Sequence, residues 1–399
     1  MTSTRRLQVP LSVLDRSLTR EGEPSGRALR ETVRFAQQAE ELGFSRFWVS
    51  EHHAVPGIAG SAPTVLAAAV ASATTRIRVG TGGVMLPNHQ PLVVAEQFGV
   101  LASLFPGRID MGLGRSVGFT DGVRKALGVG KDAADGFSEQ LSELLAYFDG
   151  TGTVRARPAE GLRVPPFVLA VGSGAAVAAA HGLPLVIGAA RDERRMREAV
   201  DVYRETFRPR EAAAPSASAD GSGPAAGPAG GADARQGGWA GAAGLGGAPD
   251  GDGPTGGERG AAGPDGPAAY PAAPYVVVAV NAAVAGSRER AELLQVPEAW
   301  STAVSRTRGT FTPLLPPEEI LSRVMSEKER AAFDAARQSQ LWGTADEVAD
   351  ELASLVSRTG ADELLLTLNT HDPADRLDSY RRLAEAAGMA RRPVPGALG

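Results

Sequence analysis

Residues 77–114, IRVGTGGVMLPNHQPLVVAEQFGVLASLFPGRIDMGLG, contain a strand, a helix and a second strand in succession. The apolar run at 77–86 is typical of a buried strand. Pro91 stands in the first turn of the helical segment 91–105, where its missing N–H leaves no helical hydrogen bond unmade. Residues 108–114 then return to a strand pattern. This stretch therefore predicts one unit of a parallel α/β fold.

The same alternation extends over most of the chain. Ser25 is the predicted N-cap of one helix and Gly43 its stop, and a capping box at Thr344–Glu347 opens another helix that ends at Gly360. Further strand-like runs occur at 7–15, 44–50, 167–172, 185–189, 275–280 and 363–369. Eight strand candidates separated by helices favour a (β/α)8 TIM barrel over an open sheet.

Composition restricts the function. The chain has 399 residues, 43% of them hydrophobic, and a formal charge of −5 without a basic cluster, so we expect a globular protein with a small-molecule partner and no nucleic acid. It contains no cysteine, which excludes disulfides and thiolate metal sites. No segment has the roughly 18 apolar residues of a membrane span, and the amino-terminal residues lack the apolar core of a secretory signal. We therefore predict a cytoplasmic protein that does not bind membranes.

Residues 211–270 differ sharply from the rest of the chain. They are dominated by Gly, Ala and Pro, with almost no branched apolar side chains, and this composition predicts disorder. A helical pattern at 194–209 precedes the segment and a strand pattern at 274–286 follows it. We therefore predict a single barrel domain spanning residues 5–390, with a disordered insertion in a helix-to-strand connection on the face opposite the active site.

Two of the chain's five histidines follow a predicted strand, in FWVSEHHAVPG at 47–57. In a (β/α)8 barrel the active site lies at the carboxyl ends of the strands. Because side chains alternate along a strand, Trp48, Ser50 and His52 should face the barrel axis, although both histidines could instead only form hydrogen bonds across loops. We predict no metal site, because adjacent histidines cannot easily share one tetrahedral ion and no other His, Asp and Glu grouping has ligand spacing.

Two further strand ends contain groups suited to an anion. At 109–118 the glycines leave room for a flat ligand and Arg115 supplies a cation for a phosphate, whereas Val117 stands where a dinucleotide-binding fingerprint needs glycine. Ser173 lies where a strand meets the amino end of a helix, whose free N–H groups favour an anion. The alternatives are a solvated arginine in a glycine-rich turn and a simple N-cap serine.

Five segments, in this order, resemble the bacterial luciferase-like flavin-dependent monooxygenases, the alkanal monooxygenase-like family. They are WVSEHH (48–53), VGTGGVMLPNHQPLVVAEQFGVLASLFPGRIDMGLGRS (79–116), HGLPLVIG (181–188), FRP (207–209) with PYVVVAVN (274–281), and GTADEVADEL (343–352) with TGADELLLTLN (359–369). The resemblance implies a (β/α)8 barrel that binds reduced FMN. In that family the flavin reacts with dioxygen to give a C4a-hydroperoxide, which oxygenates a small organic substrate.

The resemblance also implies roles for the residues after the second strand. His52 matches the histidine that the family places beside the flavin and its oxygen intermediate, where it would act as a general base or hydrogen-bond donor. His53 would be a neighbouring polar support. Glu51 would orient these groups.

The implied cofactor-binding residues lie at three other strand ends. The strand end that passes along the isoalloxazine ring carries a non-prolyl cis peptide in the family and corresponds to Thr81, Gly82 and Gly83. The phosphate would be bound by Arg115, Ser173 and Gly172. Asp121 lies where luciferases have a carboxylate near the flavin. Because the segment around Ser173 is shorter than usual in the family, we expect weak flavin affinity, which suits delivery of reduced FMN by a separate flavin reductase.

Two other functions are compatible with these residues: an F420-dependent oxidoreductase of the same superfamily, and a flavin-binding barrel without catalysis. We further expect a homodimer. Residues 298–325, between the seventh and eighth predicted strands, are the expected lid in which substrate specificity resides, with Phe311, Leu314 and Leu315 as apolar contributors. The sequence does not identify the substrate.

Overall fold

Strands and helices alternate through the residues that this computed structural model describes, which are 7–170, 174–188, 193–210 and 270–390. The strands are β1 (Leu11–Asp15), β2 (Arg46–Val49), β3 (Arg78–Thr81), β4 (Val84–Met85), β5 (Ile109–Gly114), β6 (Pro166–Ala170), β7 (Leu185–Gly188), β8 (Val276–Val284), β9 (Leu341–Gly343) and β10 (Glu363–Thr367). The helices are α1 (Ser25–Glu41), α2 (Pro63–Ala73), α3 (Pro91–Leu104), α4 (Asp121–Leu127), α5 (Phe137–Asp149), α6 (Gly174–Ala180), α7 (Glu193–Thr206), α8 (Arg288–Arg308), α9 (Pro317–Ser322), α10 (Glu327–Gln338), α11 (Ala345–Thr359) and α12 (Pro373–Ala386).

Eight of the described strands close into a barrel. Their order is β1, β2, β3, β5, β6, β7, β8 and β10, every neighbouring pair is parallel, and β10 pairs with β1 to complete the circle. The short β4 and β9 pair with β5 and β8. The predicted (β/α)8 TIM barrel is therefore confirmed. Within the described ranges, none of the helices has both the length and the apolar character needed to cross a bilayer.

Alternation along β2 sorts its side chains as predicted. Phe47 and Val49 pack in the large apolar cluster between the strands and the helices. Trp48 belongs instead to a separate cluster inside the barrel, with Phe167 and Leu365. Both faces of the parallel strands are thus covered, which explains why these strands read as continuous apolar runs in the sequence.

The helix-boundary residues predicted from the sequence agree with the structure for α11 but not for the start of α1. The capping box at Thr344–Glu347 opens α11, and Gly360 ends it with a φ of 62°. The prediction that Ser25 caps α1 was wrong by one residue. Pro24 is the N-cap, and its carbonyl accepts a hydrogen bond from the Arg27 N–H at 2.9 Å, so the first turn begins one residue earlier than the serine suggested.

The predicted disordered insertion at 211–270 falls almost entirely on residues 211–269, which lie outside the described residues. Its flanks are described, with α7 before it and β8 after it. The guanidinium carbon of Arg210 lies 5.3 Å from the centre of the Tyr270 ring. The two flanks therefore meet near the amino end of β8. This is the face of the barrel opposite the carboxyl ends of the strands.

Helices α8, α9 and α10 lie between β8 and β10, where the sequence predicted a lid. They share a small apolar core of their own that includes Phe333. Backbone hydrogen bonds tie the lid to the barrel loops: the Leu314 N–H donates to the Thr19 carbonyl at 2.8 Å, and the Gly57 N–H donates to the Phe311 carbonyl at 2.9 Å. The lid is thus fastened to the loops that follow β1 and β2.

A buried network of charges lies at the amino ends of the strands. Arg46 at the start of β2 lies 2.7 Å from a carboxylate oxygen of Asp110 on β5 and 3.0 Å from one of Glu363 on β10. Arg78 on β3 forms a second ion pair with Asp110 at 2.6 Å. Burial alone would lower the pKa of Arg46 and raise the pKa of Asp110, but their attraction outweighs burial and shifts both pKa values the other way. These groups therefore stay ionised.

Neutral donors complete the same network. Glu363 accepts hydrogen bonds from the Ser12 hydroxyl of β1 and, at 2.9 Å, from the Tyr275 hydroxyl that precedes β8. Asp110 accepts one from the Trp48 indole N–H at 3.1 Å. The network joins six of the eight barrel strands or their immediate neighbours, and it supplies the buried carboxylates with the hydrogen bonds that they need.

We expect Arg46→Met to reduce the free energy of unfolding by about 3–5 kcal/mol, because it leaves two buried carboxylates without their shared cation. Arg290→Met is the matched control, since Arg290 forms a surface pair with Asp375 and its side chain is 48% exposed. That control should cost about 0–1 kcal/mol. Chemical denaturation followed by circular dichroism measures both, and equal losses would contradict the structural role given to Arg46.

Candidate functional site

A cleft of ≈ 360 Å³ opens at the carboxyl ends of the strands. Side chains from the loops after β1 and β2, from the turn before α4 and from the lid line it, among them Arg16, His52, Val55, Ile58, Phe119 and Phe311. Both His52 and His53 line this cleft. Of the three apolar lid residues singled out in the sequence, Phe311 lines the cleft, whereas Leu314 and Leu315 are buried in apolar packing.

The His52 ring is held on two sides. Its Nδ1 lies 3.1 Å from the Ser50 hydroxyl oxygen. The Phe119 ring stacks on it with centroids 6.0 Å apart and planes 13° from parallel. Burial lowers the pKa of His52 to about 4, and the positive charge of Arg16 contributes in the same direction. His52 is therefore neutral at physiological pH.

Glu51 connects two loops from a fully buried position. One of its oxygens lies 2.6 Å from His53 Nε2 and 2.9 Å from His89 Nε2, and the other accepts the Met85 N–H at 2.9 Å. Burial alone would raise the pKa of Glu51, but the hydrogen bonds from His89, Met85 and His53 outweigh it and lower the pKa. Glu51 is thus an ionised carboxylate that fixes the loop after β2 against the segment after β4.

His89 is the site residue that the sequence reasoning missed. It follows the strand segment 77–86 and is one of only five histidines, which was the available signal. The argument against a metal site used spacing along the chain, which does not show that the ligand atoms of Glu51, His53 and His89 lie within 4.8 Å of one another. Glu51 and His89 are 38 positions apart in the sequence and come into contact only when the chain folds.

The strand end at Thr81, Gly82 and Gly83 has the geometry expected there. The Gly82–Gly83 peptide is cis. The Thr81 hydroxyl donates to the Gly112 carbonyl at 2.7 Å and accepts the Gly112 N–H at 3.1 Å. A Cβ on Gly112 would lie 1.9 Å from the Thr81 carbonyl oxygen, so only glycine permits this close approach of β3 and β5.

Two glycines end the strands β5 and β7 on one side of the barrel mouth. A Cβ added to Gly114 would find only the Val84 carbonyl oxygen, at 3.9 Å, and one added to Gly188 would meet nothing within 4 Å among the described residues. Among the described residues, little therefore approaches these glycines at the carboxyl ends of β5 and β7. A glycine leaves a flat ring room to lie close to the backbone.

The other side of the mouth carries buried polar groups. Glu298 of the lid helix α8 accepts hydrogen bonds from both Arg16 and Asn281. Within the described part of the chain, Arg16 Nε, Asn281 Oδ1 and Asn369 Nδ2 are buried and have no hydrogen-bond partner. Buried polar atoms are rarely left unpaired in proteins, so a ligand with donors and acceptors at its edge suits this side of the mouth.

The remaining predicted cofactor residues are placed as follows. Arg115 directly follows β5 and is half-buried next to Gly114. Asp121 is the first residue of α4, where its side chain is 96% exposed and paired with Arg124, and it is not among the side chains that line the cleft. Ser173 and Gly172 lie outside the described residues.

Comparison with known proteins identifies the class to which this barrel belongs. Residues 11–220 match the family model for luciferase-like monooxygenases. The chain is 32% identical over 390 residues to the uncharacterised protein YvbT of Bacillus subtilis strain 168, covering 96% of this chain and 98% of that one. It is 30% identical over 379 residues to a luciferase-like monooxygenase of Escherichia coli K12, covering 93% and 95%. The chain therefore belongs to the luciferase-like monooxygenase family.

Solved structures agree on the fold. The crystal structure of apo-MsnO8 superposes with a TM-score of 0.71 at 27% identity, covering 96% of this chain and 99% of that one. An oxygenating subunit of 3,6-diketocamphane monooxygenase in complex with FMN (TM-score 0.61, 14% identity) and an F420-dependent secondary alcohol dehydrogenase (0.60, 15% identity) cover 96% of this chain each and 100% and 99% of their own. Solved structures with this fold thus include a protein in complex with FMN and an F420-dependent enzyme.

We expect His52 to lower stability in mild acid. The unfolded chain takes up a proton near pH 6.5, whereas the folded protein does so only near pH 4, so stability present above pH 6.5 is lost as the pH falls toward 4. Between pH 7.5 and pH 5 wild type should lose about 1–2 kcal/mol more than His52→Gln. Denaturation curves at the two pH values measure this, and equal losses would show that His52 titrates normally.

Proposed function

We propose that this protein is a flavin-dependent monooxygenase that uses reduced FMN and dioxygen to oxygenate a small organic substrate. The observation that carries the proposal is His52, a neutral imidazole that lines a cleft at the carboxyl ends of the barrel strands. Family membership makes an oxygenation reaction the first expectation. The cofactor and the reaction are proposals about this chain.

Three features of the barrel mouth support the proposal of a bound flavin. Gly114 and Gly188 leave space for a flat ring, and Arg115 follows Gly114 directly, where it would provide a cation for the FMN phosphate. The unpaired polar atoms on the opposite side would provide partners for the ring edge. Ser173 and Gly172 remain proposed phosphate ligands, and Asp121 remains a proposed carboxylate near the flavin.

Reduced FMN would supply the electrons that activate dioxygen, and the protein would control protons and access around it. His52 has Nδ1 engaged by Ser50, so Nε2 is the atom that would exchange a proton or a hydrogen bond with the reacting group. A bound anion would raise the pKa of His52 from its low value in the free protein toward the working range. Glu51 and His53 would hold the loop that carries His52.

The cleft limits the substrate. Its volume of ≈ 360 Å³ is at the small end for ligand pockets, and Val55, Ile58, Phe119 and Phe311 make much of its wall apolar. Among the described residues that line it there is no aspartate or glutamate, and Arg16 is present. These features favour a compact, partly apolar substrate that is neutral or anionic.

The partners of the proposed enzyme are a flavin reductase, which would deliver reduced FMN, and a second copy of the chain. Helices α2 and α3 expose large apolar side chains, with Val65 70% and Leu104 64% exposed, which suits a homodimer contact. Sedimentation velocity of the protein and of Val65→Glu would test that contact. A cytoplasmic location stays a prediction.

We expect purified protein, a flavin reductase, NADH and FMN to incorporate one atom of labelled dioxygen into a substrate found by scanning aldehydes, thioethers and aromatics. His52→Ala should reduce turnover about 10²–10⁴-fold, because it removes the proton-exchanging group. His53→Ala should cost clearly less, and His371→Ala is the control. Wild-type turnover by His52→Ala would contradict its role.

Oxidation of reduced F420 without oxygen incorporation would establish the hydride-transfer alternative, and flavin binding without either reaction would indicate a non-catalytic barrel.

We expect Arg115→Ala to weaken binding of reduced FMN by about 1.5–3 kcal/mol, the scale of a hydrogen bond between charged groups. Riboflavin lacks the phosphate and should bind nearly as before. Arg155→Ala is the control, because Arg155 is 73% exposed and its nearest acid lies 3.8 Å away. Anaerobic fluorescence titration measures all of these affinities. Equal losses for FMN and riboflavin would place Arg115 away from the phosphate.

A further inference from the structure

We propose that Glu51, His53 and His89 form a binding site for a divalent transition-metal ion, with Zn²⁺ as the representative. The cluster offers two imidazole nitrogens and one carboxylate oxygen, and its ligand atoms lie within 4.8 Å of one another. Two nitrogens and one oxygen with a fourth position left open is a donor set that zinc accepts. Neither family membership nor the proposed reaction requires such a site.

The distances are close to those that a metal ion needs. Zinc bonds of about 2.0–2.2 Å in tetrahedral geometry place ligand atoms about 3.3 Å apart. His53 Nε2 and His89 Nε2 now lie 2.6 and 2.9 Å from the same Glu51 oxygen. Shifts of less than about 1 Å at two side chains would therefore admit the ion. Both histidines already point the required nitrogen at the carboxylate.

The surroundings support a metal at this position. The second Glu51 oxygen is fixed by the Met85 N–H, which orients the carboxylate in the way that partners of metal ligands usually do. The side chains of His53 and His89 are 20% and 31% exposed, and His53 lines the cleft, so an ion can reach the site from solvent.

The rest of the chain offers little competition for such an ion. It contains no cysteine, and its five histidines all lie in the described residues. Within those residues no other group of three or more potential ligands comes together in this way. Transition-metal affinity should therefore depend on His53 and His89, and His181 and His371 provide matched controls elsewhere in the fold.

A metal ion bound to Glu51, His53 and His89 would affect the neighbouring residue His52. The ion would replace the hydrogen bonds by which Glu51 holds His53 and His89, and it would place two positive charges beside the neighbouring His52. The loop that carries His52 would then be held by the ion and no longer by those hydrogen bonds. If the proposed monooxygenase function holds, Zn²⁺ would therefore inhibit turnover reversibly, and this consequence rests on that function whereas the binding site does not.

The test is titration of untagged protein with Zn²⁺ at pH 7.5 against a chromophoric chelator, without flavin, reductase or substrate. We expect one equivalent to bind wild type, at least about tenfold weaker binding by both His53→Gln and His89→Gln, and unchanged binding by His181→Gln and His371→Gln. Nitrogen-15 NMR should show the Nε2 signals of His53 and His89 shifting on addition of the ion. Circular dichroism checks that each variant is folded.

Absence of stoichiometric binding to wild type would overturn the proposal, as would binding that survives either substitution in a folded variant. A second measurement uses turnover: Zn²⁺ should inhibit wild type, and a chelator should restore the rate. Because Zn²⁺ binding is measured without the cofactor, a failure of the proposed oxygenation leaves the metal result interpretable. A failure of metal binding likewise leaves the oxygenation test intact.

Discussion

The attraction between Arg46 and the two carboxylates of Asp110 and Glu363 is the constraint on which the barrel depends. These groups come from β2, β5 and β10, three strands that are far apart in the chain and meet only when the barrel closes. Each side chain is at most 1% exposed, so each would be very costly to bury alone. The barrel can exclude water from its amino end only in the arrangement that pairs all of them.

The buried charges fill the amino end of the barrel, so the cleft lies at the carboxyl end. Above the network, the interior is filled by Trp48, Phe167 and their apolar neighbours. At the carboxyl ends, the described inward positions include glycines on β5 and β7, and polar side chains lie directly after β1, on β8 and after β10. Among the described residues, the same closed scaffold therefore supports an opening with glycines on one side and polar side chains on the other.

The chemistry of His52 follows from this position. A histidine in water is half protonated near pH 6.5, but burial against Phe119 and the charge of Arg16 make the imidazolium unfavourable here. Glu51, one residue away, is charged instead of neutral, because three hydrogen bonds stabilise its carboxylate despite burial. Adjacent residues thus differ in charge state through their partners, and the lid contributes Phe311 to the cleft that His52 lines.

The sequence by itself determined what depends on local geometry. Side-chain alternation determined that Trp48 of β2 faces the barrel interior, and the Thr344–Glu347 capping box determined where α11 begins. Eight apolar runs separated by helices determined the barrel class. Each of these signals is a pattern within a few consecutive residues. Only the tertiary structure decided that His89 meets Glu51, that Arg46 meets Glu363 and that His52 is neutral. Those outcomes depend on distance, burial and charge in the closed barrel, and residues 38 or 317 positions apart carry no local signal of a contact that closure alone creates.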